Sequence, residues 1–364
     1  MHHLFLRGLC FIFVVCALSA CATRELPCEG TDNIEVVCSF DNPEDFAIIP
    51  DSDFLVVSEY GFKHANLPSP LSMLNMKTRE KHILFPSDAH PQTATSKEVG
   101  WGDPDCDLPT AESFSPHGLH LTRRDGNRLQ LLVVNHAGKN AVEFFEILLD
   151  EEIPRALWRG CVNIDKSVVP NSVKWLPQGG FLVTHMGGDL SKIDGVITSA
   201  QGLLGMDTGY VLRWDSENGI RRQPGGDGPM PNGIEVSPDG RFMYLNIYFA
   251  SEVRKIRIED GERITTADVT HPDNINWGAN NQLLVASQSP SFFDMARCFQ
   301  IKGKSCAVPF NVVAVDGDTM KTKVVFSSTG APLPVATAAA YHDNRLYTGT
   351  FAGDRIGIIS DVKL

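Results

Sequence analysis

Glu44, His117, Asn171, Asn232, Asp273 and Thr337 are far apart in the chain, yet each stands two positions before a short apolar run that a turn joins to a second apolar run. Polar side chains at equivalent places in a repeat meet one another if the repeats are arranged about an axis. Brought together, Glu44, Asn171, Asn232 and Asp273, with Asn274 beside the last, form a set of buried hard oxygens that must be paired or hold a cation. Calcium suits that set, because it takes about six to eight oxygens and tolerates irregular geometry, and two carboxylates neutralise its charge. Five protein ligands leave room for water and for a substrate oxygen, as a catalytic ion requires. His117 shares the phase. Imidazole prefers softer metals, so His117 reads instead as a general base of near-neutral pKa, with His136 behind it to orient the ring. Taken singly, each Asn or Asp has a plainer reading as an Asx turn at the start of a strand, and His117 as a buried ring satisfied by a carbonyl. The shared phase favours the metal. His185, His271 and His342 fall at strand ends or turns and read as structural or exposed.

The elements that must position these residues are hairpins. Six can be read: Phe46 to Val57, Leu119 to Val134, Val173 to Val183, Ile234 to Leu245, Ile275 to Val285 and Ala339 to Tyr347. Each joins runs rich in Val, Ile and aromatics across a turn of Pro, Asp, Gly or Asn, which is β-hairpin chemistry. Further strands follow several of them, as at Ala141–Ile147, Tyr210–Trp214 and Val253–Ile258. Strand cassettes recurring every few tens of residues predict an all-β fold, a six-bladed β-propeller, with the phased residues on the innermost strands facing the central channel.

Composition excludes other classes. The 44 acidic against 32 basic residues give a net charge of −12, and no Lys/Arg cluster offers a track for a phosphate backbone, so nucleic acid is excluded as a partner. With 43% apolar residues the chain is neither disordered nor fibrous. There is no G-x-S-x-G elbow and no H-E-x-x-H helix, and Gly303-Lys304-Ser305 lacks the earlier glycine of a phosphate-binding loop.

Residues 1–20 read as an export signal, with Arg7 followed by an apolar run from Gly8 to Ala20 that is too short to span a bilayer. Leu18-Ser19-Ala20-Cys21 resembles a bacterial lipobox, which implies acylation of Cys21, anchoring to a membrane through the lipid and, since Ala22 follows, the outer membrane. Ala20-Cys21-Ala22 also fits an ordinary A-x-A cleavage site, which would leave the protein soluble outside the cytoplasm. A linker and lead-in strand are expected over 21–37 and the propeller over 38–364. Six cysteines remain after Cys10, Cys16 and Cys21: Cys28, Cys38, Cys106, Cys161, Cys298 and Cys306. An even number in an exported chain suggests disulfides. Proximity favours Cys28–Cys38 and Cys298–Cys306, leaving Cys106 for Cys161, although sequence cannot choose among the connectivities.

The segments Pro43–Pro50, Ser115–Leu119, Leu131–His136, Pro231–Gly240 and Asp273-Asn274 together resemble the paraoxonase/arylesterase family, within the wider gluconolactonase and senescence-marker-protein superfamily. The resemblance runs from about Cys38 to Ile359. It implies a six-bladed propeller that hydrolyses lactones and aryl esters, with Glu44, Asn171, Asn232, Asp273 and Asn274 as ligands of a catalytic calcium and His117 with His136 as the pair that activates water. It also implies a second, structural calcium held by Asp45, by the backbone carbonyl of Leu119 and by an Asp at the position that is Ser172 here, so that ion lacks a ligand. Two further departures stand out. The chain end from Gly357 to Leu364 has no Cys to staple it, so ring closure is expected to rely on strand pairing alone, and Gln288 replaces a family His beside the substrate pocket.

Two longer segments are candidate covers for the channel mouth: Gly187–Gly209, with Ile193, Leu203, Leu204 and Met206, and Pro290–Pro309, with Phe292, Phe293, Met295 and Phe299. Two other classes remain open at this point. One is a non-catalytic propeller in which calcium only rigidifies the ring and the lipid-anchored face binds partners. The other is a strictosidine-synthase-like propeller, which needs no metal.

Overall fold

A computed structural model describes residues 26–60, 67–93, 97–188, 193–289, 298 and 305–364. Among them are 24 strands in six four-stranded antiparallel sheets. The first blade is β2 (Pro43–Ile48), β3 (Phe54–Glu59), β4 (Leu71–Asn75) and β5 (Lys81–Phe85). The second is β6 (Pro116–Arg123), β7 (Leu129–Asn135), β8 (Ala141–Leu148) and β9 (Arg155–Asn163), and the third β10 (Pro170–Trp175), β11 (Phe181–His185), β12 (Tyr210–Asp215) and β13 (Gly219–Arg222). Then come β14 (Pro231–Val236), β15 (Phe242–Ile247), β16 (Glu252–Arg257) and β17 (Arg263–Asp268), followed by β18 (Pro272–Trp277), β19 (Gln282–Gln288), β20 (Phe310–Asp316) and β21 (Thr322–Ser328). The last blade contains β22 (Ala339–His342), β23 (Arg345–Thr348) and β24 (Arg355–Ile359), with β1 (Ile34–Cys38) as its outermost strand. This is the expected six-bladed propeller, and each hairpin read from the sequence is the inner pair of one blade.

Strands within a blade are buried on both faces by neighbouring blades, so they read as continuous apolar runs rather than as alternations. Leu131-Leu132-Val133-Val134 in β7 is wholly buried: Leu131 and Val133 pack toward Phe114 and Phe145, while Leu132 and Val134 pack toward Phe181 and Trp214 of the next blade.

Closure differs from expectation. The ring begins at Ile34 rather than at 38, because β1 pairs with β24 from Ile34↔Ile359 to Cys38↔Arg355 and supplies the strand the last blade lacks. Strand pairing is not alone, either. Arg355, 1% exposed, donates from Nη1 to the carbonyl of Pro27 (2.7 Å) and from Nη2 to that of Leu26 (2.8 Å), while its Nε bonds the Asp354 carboxylate. Cys28 and Cys38 form a disulfide beside this clamp. Cys106–Cys161 and Cys298–Cys306 are also paired, so the three proximity pairings are the ones present.

Arg355→Met should therefore lower unfolding free energy by about 2–3 kcal/mol, the usual cost of losing hydrogen bonds from a charged donor. Urea denaturation measures this, and an unchanged midpoint would mean that β1 holds without the clamp.

Candidate active site in the channel

Five inner strands begin with the same device. Pro43, Pro116, Pro170, Pro231 and Pro272 each pair with the partner strand, and the register then slips before pairing resumes at Asp45, Leu119, Val173, Ile234 and Ile275. Proline donates no ladder bond and is tolerated at the first residue of a strand, and the slip is a β-bulge that re-aims the residue inside it. That residue is Glu44, His117, Asn171, Asn232 or Asp273, so the second position of each strand is turned into the shaft. The recurring Pro in front of these residues is a signal that was present in the sequence and not used.

A bulge frees backbone groups that must find other partners. The next residue of the preceding blade supplies two of them: Asp45 Oδ2 accepts from Leu119 N (2.8 Å) and Ser172 Oγ accepts from Ile234 N (3.3 Å). Glycines alternate with these polar residues. A Cβ on Gly118 would lie 2.2 Å from the Asn171 carbonyl oxygen, and one on Gly233 would lie 2.5 Å from that of Asp273, so neighbouring inner strands approach closely at this level only because both are glycine. The sixth phased residue serves closure instead. Thr337 Oγ1 donates to the Glu44 carbonyl (2.8 Å).

All five predicted ligands are buried and linked. Asn274 Nδ2 donates to Glu44 Oε1 (2.8 Å), Asn232 hydrogen-bonds the Asp273 carboxyl group, and His117 Nε2 lies 3.4 Å from Glu44 Oε2 and 3.5 Å from Asn171 Nδ2. Of these groups, Glu44 Oε2 and the amide oxygens of Asn171, Asn232 and Asn274 are buried without any hydrogen bond. Four orphaned acceptors at one level of a shaft are a costly arrangement unless a cation completes it. Burial pushes the pKa of Glu44 well up, and that of Asp273 up by burial and by the Glu44 charge. Among the described residues no three His, Cys, Asp or Glu gather as metal ligands, because this set has two carboxylates and three amides. That donor chemistry fits calcium and disfavours softer ions.

His117 Nδ1 is 2.9 Å from His136 Nε2, so a proton sits between the rings, and the other nitrogen of His117 faces the ligand cluster. Tyr60 stacks on the His117 ring at 4.2 Å, a contact not anticipated from sequence, since Tyr60 lies just past β3 outside any motif. Burial holds the His117 pKa down, to about 4. The second ring is held in place by backbone: His136 N donates to Ser115 O, and Asn135 Oδ1 accepts from Ser115 N and Ala137 N. Asn135 is fixed in turn by Glu143, whose other oxygen accepts from Trp158 Nε1. Gln288 does not stand apart as a pocket residue. It donates to Asp273 Oδ2 and accepts from Tyr248 Oη (2.9 Å), so it orients a predicted ligand.

The second-ion expectation meets a different arrangement. Asp45 Oδ1 and Oδ2 accept from Phe46 N and Leu119 N, and the Leu119 carbonyl accepts from Lys174 Nζ (3.4 Å). Of the expected covers, residues 290–297 and 299–304 lie outside the described residues. Part of the other is helical, α1 (Ile193–Leu203), and Ile193, Leu203, Leu204 and Met206 are exposed. Gly195 and Gly202 are its buried residues, because the helix packs on Gly188 and Phe249 too closely for a side chain. His185 is buried with Nδ1 accepting from Val169 N, His271 stacks on Tyr248, and His342 lies half-buried beside Asp343.

The raised carboxyl pKa values give a test of the cation site. A buried acid with a raised pKa binds more protons folded than unfolded, and a cation entering the site must displace them. Calcium titrated into chelator-stripped protein at pH 6 should release protons and at pH 9 release fewer, as read by calorimetry in buffers of different ionisation enthalpy. Glu44→Gln should weaken binding by at least tenfold. Calcium that binds with no proton release at pH 6 would place it elsewhere.

The arylesterase family matches residues 40–355. The chain is 27% identical to human serum paraoxonase/arylesterase 1 over 58% of its length and 54% of that protein's, so it spans about half of this relative. It is 22% identical to rat serum paraoxonase/arylesterase 2 over 90% of its length and 89% of that protein's. Solved structures share the fold: a gluconolactonase from Xanthomonas campestris (TM-score 0.53, 14% identity, 94% of this chain and 93% of that one) and regucalcin, a calcium-binding protein from Agrobacterium tumefaciens (TM-score 0.50, 12% identity, 89% and 91%). With five phased residues at one level of its shaft and a match over nearly all of the described ring, the chain belongs to the arylesterase family.

Proposed function

We propose that the protein is a calcium-dependent hydrolase of lactones or aryl esters, working at the channel site. The observation that carries this reading is the set of orphaned oxygens on Glu44, Asn171, Asn232 and Asn274 beside an imidazole pair. Family membership supports hydrolysis of esters or lactones, and the names of two relatives, a gluconolactonase and a calcium-binding protein, agree with the substrate and the ion.

Glu44, Asp273 and the amide oxygens of Asn171, Asn232 and Asn274 would hold calcium, which supplies Lewis-acid polarisation of the scissile carbonyl and a counter-charge for its oxyanion. Asn274 and Gln288 donate to the two carboxylates and fix their orientation. His117 is neutral at physiological pH because burial lowers its pKa, so its ring accepts the proton of an attacking water rather than carrying one already. His136 shares the proton on the Nδ1 side, and the Asn135–Glu143–Trp158 network holds its strand end still. Tyr60 covers one face of His117 and excludes water from it.

Three disulfides agree with folding in an oxidising compartment, and relatives named as serum proteins agree with export. Acylation at Cys21, outside the described residues, is proposed as the membrane tether. No helix among the described residues is long and apolar enough to cross a membrane.

Chelation should abolish hydrolysis of phenyl acetate and of aliphatic lactones, and readdition of calcium should restore it. His117→Gln should cut turnover by about 10²–10⁴, as loss of a general base does, while leaving calcium affinity within a few-fold. His136→Gln should cost less. Full activity in His117→Gln would assign water activation to a carboxylate or to the ion.

A further inference from the structure

One level deeper in the shaft is a second cluster that the hydrolytic reading does not use. Lys174 lies three residues after Asn171 and is 2% exposed, a placement that is rare for lysine unless its charge is met. Its Nζ donates to Asn276 Oδ1 (3.0 Å) and to the Leu119 carbonyl (3.4 Å), and lies 3.4 Å from Glu235 Oε2. The Asp45 carboxylate feels the same charge. Asn276 Nδ2 in turn reaches the Ala339 carbonyl (3.5 Å). Asp45, Leu119, Lys174, Glu235, Asn276 and Ala339 belong to blades one to six in order: the ammonium touches groups of blades two, four and five, acts on Asp45 of blade one through its charge, and reaches Ala339 of blade six through Asn276.

Lys174, Glu235 and Asn276 each stand three residues after a predicted metal ligand, so they form a lower tier in register with the upper one. Two carboxylates from blades one and four face a single buried cation, and their remaining bonds are made by backbone: Asp45 to Phe46 N and Leu119 N, and Glu235 Oε1 to Val236 N. A metal ion at this level would need the Leu119 carbonyl, which Lys174 already engages, and oxygens of Asp45, both of which already accept backbone hydrogens. Ser172, where an acid would add a third charge, instead caps Ile234 N. The residues of this level do not fit a second calcium.

We infer that the Lys174 ammonium is a built-in cation that takes the place of a second, structural ion and ties the six blades together from within, leaving the chain with one exchangeable metal site. The upper tier then takes up and releases its ion in a ring whose lower tier stays neutralised and linked. The chelated protein remains a folded propeller.

The test is elemental analysis of the full chain, dialysed against micromolar calcium, together with thermal melting of variants. The wild type should hold one calcium per chain, and two would overturn the inference. Lys174→Met should lower Tm by about 5–10 °C even at saturating calcium, as removal of one partner from a buried charge pair does. An unchanged Tm would equally overturn it. If Lys174→Met does not fold, the ion count of the wild type still decides. Ser172→Asp combined with Lys174→Met should bind a second calcium and recover Tm in a calcium-dependent way, since Asp45, Glu235 and the introduced carboxylate, with a freed carbonyl, then surround the vacated position. A wild type that holds no calcium would instead refute the upper site while Lys174→Met still reports on the lower one.

Discussion

Two acids buried at one level of a narrow shaft are the constraint on which the rest of this structure turns. Glu44 and Asp273 come from blades that are not neighbours; burial raises the pKa of both, and the Glu44 charge raises that of Asp273 further. Amide groups cannot neutralise that charge. Asn274 and Gln288 each donate one hydrogen bond to the pair, yet Glu44 Oε2 and three amide oxygens keep no partner. Acceptors left unpaired where water is scarce are costly unless a cation meets them, and hard oxygens with two negative charges suit the calcium proposed for this site.

The fold meets this demand through a defect in its own pairing. A regular inner strand would point alternate side chains into its neighbours, whereas the proline-led bulge turns its second residue to the axis in five blades of six. The defect frees amides, and Asp45 and Ser172 reach across to the next blade to satisfy Leu119 N and Ile234 N. Blade one thus completes the hydrogen bonding of blade two, and blade three that of blade four, which couples neighbouring blades at the level of the candidate site. The exception is instructive. Thr337 in the last blade gives its hydroxyl to the Glu44 carbonyl, so the joint between the last blade and the first is made by a ligand strand.

Much of this was legible in the sequence because hairpins announce themselves locally. The run Ile234-Glu235-Val236-Ser237-Pro238-Asp239-Gly240 reads as strand and turn whatever surrounds it, and six such cassettes leave few architectures. Phase then placed Glu44, His117, Asn171, Asn232 and Asp273 together without any knowledge of distances. What stayed hidden are contacts that depend on how blades face one another. Tyr60 is one residue past a strand and gains its place only when β3 and β6 lie side by side. Lys174 and Glu235 sit in amphipathic-looking runs, Val173-Lys174-Trp175 and Ile234-Glu235-Val236, where alternation suggests solvent. In a propeller both faces of the strand are covered, so the polar members of such runs are buried and must meet each other. Arg355 was hidden for a different reason. It looks like an ordinary strand-start cation beside Asp354, and the two carbonyls through which it clamps the N-terminal segment lie more than three hundred residues earlier.

The two tiers of the shaft set different requirements on the same strands. A catalytic ion must keep part of its coordination open to substrate, so its ligands cannot all be committed to holding the ring. A structural cation has the opposite need, with every contact made and no exchange with solvent. A lysine meets that second need well, because its charge arrives with the chain and its three donors can be divided among Asn276, Leu119 and the acids. It also requires fewer negative charges than a divalent ion, which is why a serine at position 172 suffices. Separating a covalent cation below from an open oxygen site above would let the proposed metal site remain underfilled without the six blades coming apart.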